Sequence, residues 1–257
     1  MKSARKPTTR LCTHSTDAIT VRGADLVDDL IGELSFTEMT YFAIIGRRPT
    51  RAQTRILDAV LVTLMEHGLT PSAIATRMIY GSTPESLQAG VSAGLLAVGS
   101  MFVGTMEGCA ALIERILAAP DREQAAGDIA DEYRRMRKPI PGFGHHMHKP
   151  DDPRTPKLFA LAESEGVPGR HIAALRTLSA AVDQRFGKHI TINATGAVGA
   201  LLGEIAIPAS IMRGIAVISR SAGLVAHIAE EQQTPSMRYI WELVDEGVPY
   251  AEPDTGD

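Results

Sequence analysis

Helical periodicity sets the first limit on what this chain can fold into. In TRAQTRILDAVLVTLMEHG (50–68), Ile56, Leu57, Val60, Leu61 and Leu64 recur at helical spacing, with Thr50 placed to cap the start and Gly68 the stop. DREQAAGDIADEYRRM (121–136) puts acids in its first turn and arginines in its last, as the helix dipole favours. PGRHIAALRTLSAAVDQRFG (168–187) has proline near its start and glycine at its end, and IMRGIAVISRSAGLVAHIAEEQ (211–232) is a further long helix. Strand signals are weak, DAITVRG (17–23) being the best of them. The expectation is an all-α protein of enzyme size.

The most apolar run, LQAGVSAGLLAVGSMFVG (87–104), has nearly the length of a membrane span. Its glycines, serines and Gln88, flanked by Glu85 and Glu107, instead read as a buried helix packed closely through small residues, so no membrane partner is expected. A chain of 257 residues with 44% apolar and 22% charged residues can bury a sizeable core, and a net charge of -4 argues against general nucleic-acid binding. Cys12 and Cys109 form neither a disulfide framework nor a CxxC pair, which fits a reducing cytosol and a cytoplasmic location. The basic start MKSARKPTTR lacks a following apolar stretch and reads as a flexible arm, and the tail AEPDTGD reads as disordered. There is no repeat and no glycine-rich phosphate loop of the GxGxxG or GxxxxGK[ST] kind.

The titratable chemistry gathers in PIPGFGHHMHKPDDPR (139–154), where His145, His146 and His148 follow a Pro-Gly-Phe-Gly turn. Metal binding, a solvated loop, and an acid/base site that also holds an anion compete as readings. A dedicated metal site is not expected, because zinc ligands usually come from rigid, separated positions such as i and i+4 of a helix. His67, in LMEHG, taken alone reads as a histidine favoured by a helix C-terminus. Arg220 lies in the apolar stretch IAVISRSAGLVAHI; a buried guanidinium needs an anion, either a structural carboxylate or that of a ligand.

Four stretches together resemble the citrate synthase superfamily. DAITVRGADLVDDLIGELSFTEMTYFAIIGRRPT looks like its opening, with a G-x-x-P-T motif. EHGLTPSAIATR resembles its H-x-L-N-A-S-T-F-A-A-R segment, PIPGFGHHMHKPDDPR its P-G-[YF]-G-H…D-P-R segment, and ISRSAGLVAHIAEEQ its R-T-x-G-x-x-A-H-x-x-E-Q helix. The order is consistent over roughly 17–245, and the short length resembles the citryl-CoA lyases and the lyase module of ATP-citrate lyase more than full-length citrate synthases. The resemblance implies an α-helical homodimer with a large domain (12–105 and 201–250), a small domain (106–200), flexible tails (1–11 and 251–257) and a coenzyme A thioester as substrate, with no metal. It places Gly142, Phe143 and Gly144 against coenzyme A, with Lys149 and Lys188 near its phosphates. It puts His67, His145, Arg154 and Arg220 on the oxo- or hydroxy-acid, with Asn193 beside them.

The chain departs from the pattern where the family's chemistry is done. In GSMFVGTMEG, against G-x-x-H-G-G-A-x-E, the catalytic histidine falls on Phe102; in TINATGAVGALL, against L-N-V-D-G-A, the catalytic aspartate falls on Thr195. In EEQQTPSMR, Thr234 precedes the proline where an arginine is usual, with Arg238 a substitute for it. A threonine is too weak a base to take an α-proton near neutral pH, and a phenylalanine donates no hydrogen bond; each loss costs on the order of 10²–10⁴ in rate. The expectation is therefore a lyase of the citryl-CoA type working by retro-Claisen or retro-aldol cleavage on another substrate, with His145 and His67 as catalytic residues and His145 taking the hydroxyl proton. A thioester hydrolase and a non-catalytic binder of coenzyme A or acid are the alternatives.

Overall fold

The computed structural model describes residues 6–99 and 104–253. Three short strands open the chain: β1 (Cys12–His14), β2 (Ile19–Val21) and β3 (Ala24–Asp25). Helices follow: α1 (Phe36–Ile45), α2 (Arg51–Met65), α3 (Pro71–Ser82), α4 (Leu87–Leu96), α5 (Thr105–Ala118), α6 (Arg122–Met136), α7 (Arg154–Ser164), α8 (Arg170–Phe186), α9 (Ala194–Glu204), α10 (Met212–Gln233) and α11 (Met237–Gly247). The predicted all-α class holds. DAITVRG supplies β2 and, through Arg22 and Gly23 at φ 51° and 89°, the two-residue turn into β3. Arg22 also donates from Nε and Nη2 to the Ala43 carbonyl (2.9 and 2.7 Å), satisfying a carbonyl in the last turn of α1. Ser35 and Glu38 form a reciprocal cap at the other end of that helix.

The chain divides into two compact units. One comprises the residues up to Val60 together with Thr105–Met212; the other comprises Leu61–Gly104 and Arg213 onward. This grouping differs from the expected domains, because residues before 60 belong with 105–212. The Tyr41 hydroxyl donates to Ile205 O (2.8 Å) and Arg55 pairs with Glu165 (3.3 Å), tying the two stretches together.

In the first unit, α9 is the inner helix, packed by α5, α7 and α8, and Ala194 and Gly196–Leu202 are buried along it. Its small residues make that possible: a methyl on Gly199 would come within 2.9 Å of Met106 O on α5. Burying Leu201 and Leu202 fully contributes roughly 1.5–3 kcal/mol each. In the second unit, α3 packs on α4, where a methyl on Gly90 would crowd Tyr80 Cβ at 3.1 Å and one on Gly94 would collide with Thr76 Oγ1. The glycines thus act as expected, but the helix is much shorter than the apolar run. It ends at Ala97 and leaves Leu96 87% exposed. Ten residues span about 15 Å, half a bilayer core. Among the described residues, one helical stretch, Ala209–Gln233, is long and apolar enough to cross a membrane. It also carries Arg220, His227 and Glu231, all buried, with the latter two paired inside its own unit, so it reads as a core helix.

Candidate active site

In the first unit the loop 139–154 is held along most of its length. Gly144 N donates to Thr191 O (2.8 Å), Asn193 N to Gly142 O (3.0 Å), and Phe143 faces Ile192 in an antiparallel bridge. Asp152, fully buried, does the rest: Oδ1 accepts from Arg154 N and Nε (3.1 and 2.9 Å), and Oδ2 from Arg154 Nη2 (2.8 Å) and Ala194 N (2.9 Å). One carboxylate therefore joins the histidine loop, the first turn of α7 and the start of α9. Burial opposes its charge, but the Arg154 guanidinium and the N–H groups of Arg154 and Ala194 outweigh it and hold the carboxyl at about 2. Asp152 was not singled out in the sequence; its one signal is the D-P-R spacing, which puts its side chain within reach of the arginine two residues on.

His145 carries its own tautomer assignment. Its Nδ1 accepts from Met147 N (3.1 Å) and His148 N (3.0 Å), so in the neutral ring the proton sits on Nε2. The imidazolium is disfavoured: burial, the neighbouring His148 and His146, and Arg154 lower its pKa against the opposing Asp152 carboxylate. His146 and His148 stack on the ring at 4.7 and 4.3 Å between centroids. A ring with Nδ1 engaged and Nε2 protonated can donate a hydrogen bond, an arrangement that does not match the expected base role.

Hydroxyl polarity around Thr195 is fixed in the same way. Asn193 Nδ2 donates to Gly144 O (2.8 Å) and its Oδ1 accepts from Gly196 N (3.1 Å), which settles the amide orientation. Thr195 Oγ1 donates to that Oδ1 (2.7 Å), so in the 2.7 Å contact with Thr105 Oγ1 the proton comes from Thr105. Thr195 is left as an acceptor. Gly142 and Phe143 are buried, and a methyl on Gly142 would lie 2.6 Å from Cys109 Sγ. Their expected contact with coenzyme A is thus limited to backbone, and Gly144 is half-buried. Lys149 and Lys188 are both exposed.

The second unit holds the other two expected residues. Glu66 Oε1 accepts from His67 N (2.8 Å) and Gly68 N (2.6 Å), fixing the turn that presents His67. Arg220 is buried, its Nε has no hydrogen-bond partner, and burial pushes its guanidinium pKa down with only Glu66 opposing. Of the two expected partners, a structural carboxylate or that of a ligand, the described residues supply no carboxylate at ion-pair distance. Among the described residues it is a buried cation whose one opposing charge is that of Glu66.

Residues 8–240 match the family model described as "Citrate synthase, C-terminal domain". The chain belongs to the citrate synthase family. Within it, a citryl-CoA lyase from Hydrogenobacter thermophilus superposes with a TM-score of 0.87 at 32% identity, covering 98% of this chain and 97% of that one. An ATP citrate lyase from Methanothrix soehngenii, solved with citrate and coenzyme A, gives 0.80 at 19% identity over 98% of this chain and 43% of that one, a likeness of fold. "Putative citrate synthase 2" of Mycobacterium tuberculosis is 28% identical over 222 residues, 82% of this chain; the chain spans 58% of that relative's length. Of the three departures from the citrate synthase family pattern, Thr195 is placed as above, Thr234 is exposed, and Phe102 lies outside the described residues. Arg238 sits on the exposed side of α11, paired with Glu242 (2.9 Å).

Proposed function

We propose that the protein makes or cleaves a C–C bond next to a coenzyme A thioester, by Claisen-type or retro-Claisen chemistry on a substrate other than citryl-CoA. The observation that carries this reading is the near full-length match to a citryl-CoA lyase combined with an uncharged acceptor, Thr195, hydrogen-bonded into the first turn of α9. In this reading the acid is gripped by Arg220 with His67, and His145 Nε2–H polarises the carbonyl oxygen, an interaction strongest when that oxygen carries most charge. Arg154 acts through its exposed edge, since Nε and Nη2 are already held by Asp152. For the polyphosphate of coenzyme A the best support is an open cavity of about 590 Å³ lined by Asp131, Arg134, Arg135 and Arg137, just before the glycine turn. Guanidinium groups suit phosphate through paired donors, and this cluster supports the reading better than Lys149 and Lys188.

The same reading takes the protein as a cytosolic homodimer. α11 exposes Trp241, Leu243 and Val244, an apolar surface suited to a second copy, and both cysteines are unpaired. Incubation with a panel of 3-hydroxyacyl- and 3-ketoacyl-CoA esters, read by mass spectrometry, tests the function. Two carbon fragments, one still on coenzyme A, are expected. Release of free coenzyme A with an intact acid would make the protein a thioester hydrolase, and binding without turnover would make it a non-catalytic homologue.

A further inference from the structure

Two residues that the functional reading leaves out converge on its acid-binding side chains. Arg77, on α3 and buried, directs Nε and Nη2 to His227 Nδ1 on α10 (3.0 and 2.9 Å). A guanidinium only donates, so His227 Nδ1 holds a lone pair and its proton is on Nε2. That Nε2 lies 2.9 Å from Glu66 Oε2, a close polar contact that falls outside hydrogen-bond geometry. Glu66 in turn accepts the N–H groups of His67 and Gly68. Arg77 is itself fixed from behind: Nη1 meets Glu231 at 2.8 Å, Nη2 meets Glu230, and Glu231 is clamped by Ser236 N, Ser236 Oγ and Met237 N at 2.6–2.7 Å. Gly223 lets α10 come close enough, since a methyl there would strike the Met65 carbonyl and lie 3.1 Å from Glu66 Oε2.

The chain of contacts runs one way, from a buried arginine through a tautomer-locked histidine to a carboxylate that ends on the His67 turn. We propose that Glu66 is a positioning residue of the acid-binding end, oriented by His227, and that it fixes the His67 turn while supplying the charge that faces Arg220. Three features distinguish this from an ordinary surface carboxylate. Its pKa lies below the ordinary value although burial opposes this, because the His67 N–H, the His227 imidazole and the Gly68 N–H favour the charge. It is the opposing charge on Arg220. It links the backbone of one expected ligand-binding residue to the electrostatics of another.

The inference rests on the reading that His67 and Arg220 hold a carboxylic acid, and the test separates the two. Calorimetric titration with citrate and with oxaloacetate, and separately with coenzyme A, is made on the wild type, Glu66→Ala and Glu66→Gln. The wild type binds at least one acid; both variants weaken that acid by about tenfold or more, as expected for charge-assisted hydrogen bonds, while coenzyme A affinity stays within about twofold. A general folding defect would weaken both ligands alike. If the wild type binds neither acid, the acid-site reading falls and the inference with it. If it binds and the variants bind equally well, the inference alone is overturned. A second measurement needs no variant: nitrogen-detected imidazole spectra of the wild type must show His227 protonated at Nε2, and an Nδ1–H tautomer sinks the proposal.

Discussion

Arg154 and Arg220 entered with the same expected task, gripping the carboxylate of an acid, and the structure gives them opposite surroundings. Arg154 is bound on two of its nitrogens by Asp152 and remains partly exposed. Arg220 is 7% exposed, with no hydrogen-bond partner on Nε. The first guanidinium has its charge satisfied whether or not a ligand is present, so it is part of the fold. The second carries a desolvation cost opposed only by the charge of Glu66, and in the proposed function an incoming carboxylate relieves it and favours the ligand-bound state. Of these two arginines, one in each unit, the first maintains the architecture, and the second, in the proposed function, stores the driving force for binding.

The sharpest way to break this contrast is at the carboxylate. Asp152→Asn is expected to cost about 3–5 kcal/mol in urea unfolding, since it leaves Arg154 half-buried against an amide. The pH dependence has a definite sign. The folded pKa of Asp152 is depressed from 3.8 to about 2, so its stabilisation is complete above pH 4 and is lost as pH falls through about 2. At about 1.4 kcal/mol per unit this amounts to roughly 2.5 kcal/mol, absent in the Asn variant. Arg220→Met should behave in the reverse sense. Acid affinity falls about 10–100-fold, while thermal stability is unchanged or rises by roughly 1–4 kcal/mol because a buried cation has gone. A loss of stability comparable to that of Asp152→Asn would erase the distinction.

His145 sharpens the comparison from the catalytic side. Its pKa is lowered, and in the proposed function its working form is the neutral donor, so turnover should be flat from pH 7 upward and fall as acid protonates the ring. A rate that climbs towards low pH would restore an imidazolium acid. His145→Ala should lose about 10²–10³ in rate with little change in ligand affinity. The smallest effect concerns His189, whose ring spans Asp183 (2.7 Å) and Asp151 (3.0 Å). These carboxylates raise its pKa, so the clasp holds at low pH and is lost as pH rises through the folded value. Because the group is largely solvated, His189→Gln should change stability by only a few tenths of a kcal/mol, seen as faster amide exchange at Ile190.

The helices were legible wherever apolar residues kept a 3.6-residue period and a cap marked the end, as in α2, α6, α8 and α10. The run 87–104 misled because composition records apolarity but not where the chain stops turning; α4 ends at Leu96 without a glycine at its cap. His67, His145, Arg154 and Arg220 could be singled out by residue type and motif. Their roles could not, because a tautomer depends on which backbone N–H groups point at a ring, and a charge's worth depends on a partner distant in sequence. Glu66 stood one residue before His67 with nothing in the one-dimensional pattern to separate it from a solvated acid, and Asp152 had only the D-P-R spacing to Arg154.

A practical limit for protein engineers lies in the contact between Gly142 and Gly196. The loop carbonyl of Gly142 lies so near the α9 backbone that a methyl on Gly196 would collide with it, and a methyl on Gly142 would meet Gly196 Cα at 2.8 Å. Neither residue can be diversified alone, and no single neighbouring side chain can retreat to make room, because the clash is backbone on backbone. A mutational library meant to retune substrate choice should therefore leave 142 and 196 fixed and spend its sequence diversity on exposed neighbours such as His146, Met147 and Lys149.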